Sequence, residues 1–120
     1  HNTKSASGEQ RRSDCPIACT LDIVGDRWSL LVIRDLARGK QHFDELLESP
    51  EGIASNILSD RLRTLTRHGL VKREKCETDG RRLVYRLSKA GWDFADSLTA
   101  IASWGLRNLE KTAAFPDIRR

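Results

Sequence analysis

ASNILSDRLRTLTRHGLVKREKCETDGRRLVYRLSKAG, residues 54–91, changes its hydrophobic period once, and that change decides the fold. From Ala54 to His68 the leucines at 58, 62 and 65 recur at helical spacing, and Gly69 supplies a stop. Beyond it, Leu70–Cys76 and Arg82–Leu87 have strand character, separated by Glu77-Thr78-Asp79-Gly80, and Asp-Gly is a strong hairpin signal. Leu83, Tyr85 and Leu87 alternate, so they are expected to face inward beneath a wet outer face. Ser88 is placed to cap a last helix reaching about Thr112, with Phe94, Leu98, Ile101, Gly105 and Leu109 as its inner stripe.

Working back from this stretch, Ser49-Pro50-Glu51-Gly52 has the composition of a tight turn, and Phe43, Leu46 and Leu47 give one apolar edge to a short helix before it. Two helices joined by such a turn form a helix-turn-helix, and a hairpin directly behind the second helix is a wing. Further upstream, Asp26 can cap a helix running to about Arg38. Its two apolar stripes (Trp28, Leu31, Val32, Leu36 and Leu30, Ile33, Ala37) place it in the middle of the fold. Cys15-Pro16 starts the first helix, Ile17, Leu21 and Val24 form its expected core stripe, and Gly25 ends it. The expected fold class is mainly α with a small β component (α+β). It is a winged helix-turn-helix with a β-hairpin wing and extra N- and C-terminal helices for dimerisation. Residues 1–14 are polar and are expected to form a flexible arm, 15–112 the domain, and 113–120 a frayed tail.

A chain of 120 residues is long enough for one domain. Its longest uncharged apolar run, Leu30 to Ile33, is far below the ~20 residues that span a bilayer. The chain opens on His1, contains no Met and shows no basic-then-apolar leader, and its three cysteines are an odd count. A reducing cytoplasmic location is therefore expected. The cysteines and His1, His42 and His68 lack metal-ligand spacing, and there is no glycine-rich phosphate loop or GxSxG turn. No metal, cofactor or enzymatic activity is expected. Charge is more informative. Residues 59–89 hold ten basic and four acidic side chains, a net +6, in a chain whose total is +4, which leaves −2 elsewhere. A basic stretch on a slightly acidic body is the electrostatic footprint of a polyanion binder.

In a helix-turn-helix the second helix reads base edges with residues near its N-terminus. Ser55, Asn56 and Ser59 lie there, and Asn can pair bidentately with adenine. Arg63 is a candidate for guanine or phosphate, while Arg61, nearer the core edge, is open to either a DNA contact or an ion pair. In the wing, Arg81 and Arg82 flank the turn and can reach backbone or minor groove. Gln41 and His42 precede the third helix, where unpaired N–H groups favour phosphate. A dimer reading a near-palindrome on double-stranded DNA is expected, since two half-sites one helical turn apart multiply discrimination. Cys19, Ile23 and Trp104 lie off the core stripes of the first and last helices and are candidates for that interface. Cys15, at a helix start behind Arg11-Arg12, is placed to favour thiolate and is a candidate redox sensor for a small reactive effector. The alternatives are a winged-helix protein-interaction module and a constitutive DNA-binding regulator without effector.

Several segments in order resemble the HxlR family of bacterial transcription regulators. They are Cys15-Pro16, Leu21-Asp22-Ile23-Val24-Gly25-Asp26-Arg27-Trp28, Phe43-Asp44-Glu45-Leu46, Gly52-Ile53-Ala54, Leu58-Ser59-Asp60-Arg61-Leu62, Gly69-Leu70-Val71 and Tyr85-Arg86-Leu87-Ser88. The resemblance implies a dimeric winged-helix DNA binder, broadly related to MarR-type regulators, acting as repressor or activator. It also implies a role for Cys15, because many relatives carry a cysteine at that place and in some it senses oxidants or electrophiles. In two places the chain departs from the family pattern. His42 stands where relatives commonly carry a basic residue, and Thr78-Asp79-Gly80-Arg81-Arg82 is closer to a MarR-type wing.

Overall fold

The structure, a computed structural model, describes residues 11–112. Its elements are α1 (Pro16–Val24), α2 (Ser29–Ala37), α3 (Phe43–Leu47), α4 (Ser55–Arg67), β1 (Val71–Lys75), β2 (Leu83–Leu87) and α5 (Lys89–Asn108). Helix α2 lies in the middle, packed against α3, α4, α5 and β2. It buries Val32, Ile33, Leu36 and Ala37, as two apolar stripes require. Leu46, Leu58, Leu62, Leu65, Tyr85, Leu87, Ala95 and Leu98 close the core around it.

The same helix also buries Arg34 and Asp35. Arg34 donates to Asp35 at 2.9 Å, to both Glu51 carboxylate oxygens at 2.8 Å and to Ser49 Oγ at 3.1 Å. Its guanidinium fork thereby fastens α2 to the turn between α3 and α4 and holds the Glu51 carboxyl down at about 2. A buried charge is tolerated only when paired and hydrogen-bonded, and here it is both.

Behind α4, Gly69 takes a positive φ of 84°, which L side chains rarely adopt, and the chain turns so that Leu70 N–H reaches Leu65 C=O at 2.9 Å. Ser88 then ties four elements together. Its hydroxyl donates to Gly69 C=O at 2.6 Å and accepts from Gly91 N–H at 3.0 Å, while its own N–H donates to Leu70 C=O at 3.0 Å. At Gly91 a Cβ would sit 2.1 Å from Leu70 O, so only glycine lets α5 start this close to the sheet. The strands pair antiparallel from Val71↔Leu87 to Lys75↔Leu83. Tyr85 N–H also donates to Gln41 C=O at 2.8 Å, which brings the segment before α3 onto the wing. Tyr85 and Leu87 face inward as expected. Leu83 does not: paired with Lys75 at the open end of the ladder, it lies beyond the core's edge and is exposed, whereas Val84 is buried.

The terminal helices differ from the sequence expectation in how much of their apolar surface the body covers. Of the nine residues of α1 only Val24 is buried; Ile17 is 70% and Leu21 51% exposed, so two of the three expected core positions face solvent. The helix touches the body by its last turn, and there Ile23 packs against the core. In α5 the inner stripe ends at Leu98, because a helix of 20 residues, roughly 30 Å long, outruns the body it packs on. Ile101, Trp104, Leu106 and Leu109 are exposed, and the helix ends at Asn108 rather than Thr112. Of the expected arm only 11–14 are described, with Arg12 bound to Asp22 at 2.7 Å; residues 1–10 and the expected tail over 113–120 lie outside the described residues. Among the described residues no helix is long and apolar enough to cross a membrane.

Candidate nucleic-acid interface

Helix α4 buries Leu58, Leu62 and Leu65 on one side, and the opposite side follows from the 3.6-residue period. Ser55, Asn56, Ser59 and Arg63 are all exposed there, the first three in the first half of the helix. Arg63 lies 3.4 Å from the carboxylate of Asp60, three residues before it. Arg61 is placed differently. Next to buried Leu62, it is carried to the edge of the core, where one terminal nitrogen meets Asp26 Oδ1 at 3.1 Å and the other binds Asp60. The ion pair, one of the two roles open to it in the sequence, is formed. Its side chain is 22% exposed, against 69% for Arg63.

The wing and the start of α3 stand beside this face. Arg81 is 97% exposed at its side chain, with Asp79 3.8 Å away. Arg82 reaches Asp44 of α3 at 3.3 Å while remaining half exposed. His42 Nδ1 lies 3.1 Å from Leu83 C=O, which ties the segment before α3 to β2. The N–H groups of Gln41 and His42 are not unpaired, contrary to the sequence expectation. Both donate to Glu45 Oε1, at 2.9 and 3.0 Å, and together they hold that carboxyl below its ordinary value. A groove of about 710 Å³ lies between the elements, lined by His42, Phe43, Asp44, Ser59, Arg81, Arg82, Leu83 and Tyr85. Residues forty positions apart in sequence thus share one surface, on which two arginines stand beside one carboxylate.

The three cysteines are free thiols in different settings. Cys15 is exposed at the N-terminus of α1, its N–H donating to Ser13 Oγ at 2.9 Å. Cys19 is half-buried, its thiol 3.3 Å from Ser13 C=O. Cys76, at the start of the wing turn, lies 3.3 Å from Thr78 Oγ1; hydrogen bonds from that hydroxyl and from the N–H groups of Asp79 and Thr78 lower its pKa. The cause is local turn geometry, and no spacing in the sequence signals it. Of the expected interface residues, Trp104 is 55% exposed, whereas Ile23 already packs on the core. Among the described residues no group of three His, Cys, Asp or Glu side chains is placed to hold a metal ion.

A family model described as HxlR-like helix-turn-helix matches residues 23–113. Rv3095 of Mycobacterium tuberculosis, named an uncharacterized HTH-type transcriptional regulator, is 38% identical over 96 residues, 80% of this chain and 60% of its own length. The chain therefore spans about 60% of the length of the mycobacterial relatives it matches. Among solved structures, PA1607 superposes with a TM-score of 0.80 at 35% identity, covering 92% of this chain and 78% of that one. The redox regulator HypR in its reduced form superposes with a TM-score of 0.72 at 26% identity, covering 80% and 95%.

Proposed function

The chain belongs to the HxlR-like helix-turn-helix family and is a DNA-binding regulator of that type, and on this premise we propose that it works as a two-fold dimer on a near-palindromic operator in the bacterial cytoplasm. The observation that carries this reading is the groove in which Ser59 of α4 and Arg81 and Arg82 of the wing meet. With α4 in the major groove, Ser55, Asn56, Ser59 and Arg63 reach base edges, and the wing arginines fall on the flanking backbone or minor groove. His42 and Gln41 meet phosphate by their side chains, and Arg61 acts from behind the contact surface.

The second copy covers the apolar side chains that α1 and α5 leave bare: Ile17, Leu21, Ile101, Trp104, Leu106 and Leu109. Exposed apolar side chains of this size on the two terminal helices support an interaction face, and joining two copies along these helices spaces two α4 helices for two half-sites. Cys15 is the site at which an oxidant or electrophile acts, a reading supported by its exposure at a helix N-terminus and by the likeness to a redox regulator.

Selection of bound duplexes from a random DNA pool, with a salt titration and a repeat on peroxide-treated protein, tests all of this. The expected result is a near-palindrome with half-sites about one turn apart, a steep salt dependence, and binding altered by peroxide in the wild type but not in Cys15→Ser. No enriched sequence and no salt dependence would indicate a protein-interaction module. Enrichment insensitive to peroxide would leave a constitutive regulator.

A further inference from the structure

Asp26, Asp60 and Arg61 hold charges next to the reading face of α4, yet the contacts proposed above use none of them. The three are connected. Asp26 stands between α1 and α2, and its Oδ2 accepts from the N–H groups of Trp28 and Ser29 at 2.9 Å each, which fixes the carboxylate on the start of α2. Its Oδ1 accepts from Ser29 Oγ at 2.5 Å and from Arg61 at 3.1 Å. The other terminal nitrogen of Arg61 binds Asp60 Oδ2, and Asp60 Oδ1 faces Arg63 at 3.4 Å. Charges alternate from the frame of the protein outward, and the last member is the exposed arginine.

We infer that Asp26, Arg61 and Asp60 are positioning residues that orient the Arg63 guanidinium and thereby set the base preference of α4; this rests on the DNA-binding reading above. Bidentate pairing with guanine needs a planar fork held in one orientation, whereas a free arginine side chain carries about 2 kcal/mol of rotamer entropy. A carboxylate on one terminal nitrogen narrows that freedom and leaves the remaining N–H groups of Arg63 for a base edge. Asp60 would itself wander on an exposed helix face were it not held by Arg61, and Arg61 is held by Asp26. Hydrogen bonding to Arg61 lowers the Asp60 carboxyl, so it stays charged at neutral pH. A fixed negative charge beside the reading face also repels phosphate, which penalises DNA that offers Arg63 no guanine.

The test is DNA selection and competition binding with Arg61→Lys, Asp60→Asn, Asp26→Asn and Arg63→Ala, each confirmed folded by circular dichroism. Lysine keeps the charge but has no fork to bridge two carboxylates. Arg63→Ala is expected to abolish the preference for guanine at one position of each half-site. Arg61→Lys should reduce the same preference about tenfold and leave the other positions unchanged, and adding Arg63→Ala should reduce it no further. Asp60→Asn should lower discrimination at that position while raising affinity for unrelated DNA, a pair of opposite changes that loss of fold does not produce. Asp26→Asn, which keeps a capping side chain on α2, should repeat the Arg61→Lys pattern and serves if that variant does not fold. Unaltered base preference in folded Arg61→Lys or Asp26→Asn, with wild-type protein selecting a sequence, would overturn this inference alone. Wild-type protein that selects no DNA would overturn the DNA reading and this inference together.

Discussion

Arginines occupy two regions of this molecule under opposite conditions. In the frame formed by α2 and α4, Arg34 and Arg61 each bridge two carboxylates and are largely withdrawn from water. In the wing, Arg81 projects almost fully into solvent and Arg82 has a single long contact with Asp44. The residue type and charge are the same, so the difference lies in what surrounds them. A bridged guanidinium sets the geometry of backbone and neighbours, and its loss leaves carboxylates without a partner. A solvated one contributes through the number of phosphates it can neutralise, and its loss leaves the fold intact. The frame fixes where α4 points; on the proposed reading the wing sets how strongly any duplex is held.

The comparison breaks first at Arg34. Replacing it by Ala strands Asp35 in the core and frees the α3–α4 turn, and unfolding free energy measured in urea is expected to fall by about 3–5 kcal/mol. Arg81→Ala should leave the urea midpoint where it is; equal losses in the two variants would erase the distinction between frame and wing. Next in size is Asn56→Ala, expected to remove about 1–3 kcal/mol of discrimination at one base pair in competition binding, with affinity for unrelated DNA little changed. The reverse pattern there would make Asn56 a backbone contact.

Arg81→Ala with Arg82→Ala should behave in the opposite way. Binding weakens alike for every sequence, and the slope of log affinity against log salt becomes shallower by up to about 2, since each phosphate neutralised contributes roughly 0.9. An unchanged slope would remove the wing from the interface. The smallest effect is on acid stability. Glu51 is held from its ordinary 4.5 down to about 2 by Arg34, so its pairing stabilises the fold above pH 4.5 and is lost as pH falls toward 2. With the Glu51 carboxylate partly open to water the loss is screened and modest. It should show as a falling urea midpoint across that window, flattened in Glu51→Gln.

Where local pattern and tertiary demand agree, the sequence was legible. The leucines of α4, the two-sided apolar α2 and the Ser88 cap are each set by periodicity or by one residue's hydrogen-bonding habit, and each stands in the structure as expected. Failures came where a local pattern had no partner. Ile17 and Leu21 have core spacing, but α1 leaves the body after one turn; Ile101 and Leu109 continue a stripe after the surface beneath it has ended. The proposed interface rests on a set of residue types on α4 and the wing that the sequence already displays. Which of its arginines are bound by carboxylates was not legible, because Asp26 and Arg61 are 35 positions apart and meet only once α2 packs on α4.

By itself the sequence determined the order of elements, the buried face of each central helix, the excess of positive charge on α4 and the wing, and membership of the family. Those depend on neighbours within a turn or two along the chain. Tertiary structure alone decided which charges remain open to a ligand, which apolar faces stay uncovered, and that His42, Ser59 and Arg82 border one groove. The reason is physical: solvation and pairing of a side chain are set by whatever lies within a few ångströms in space, and chain spacing does not encode that distance.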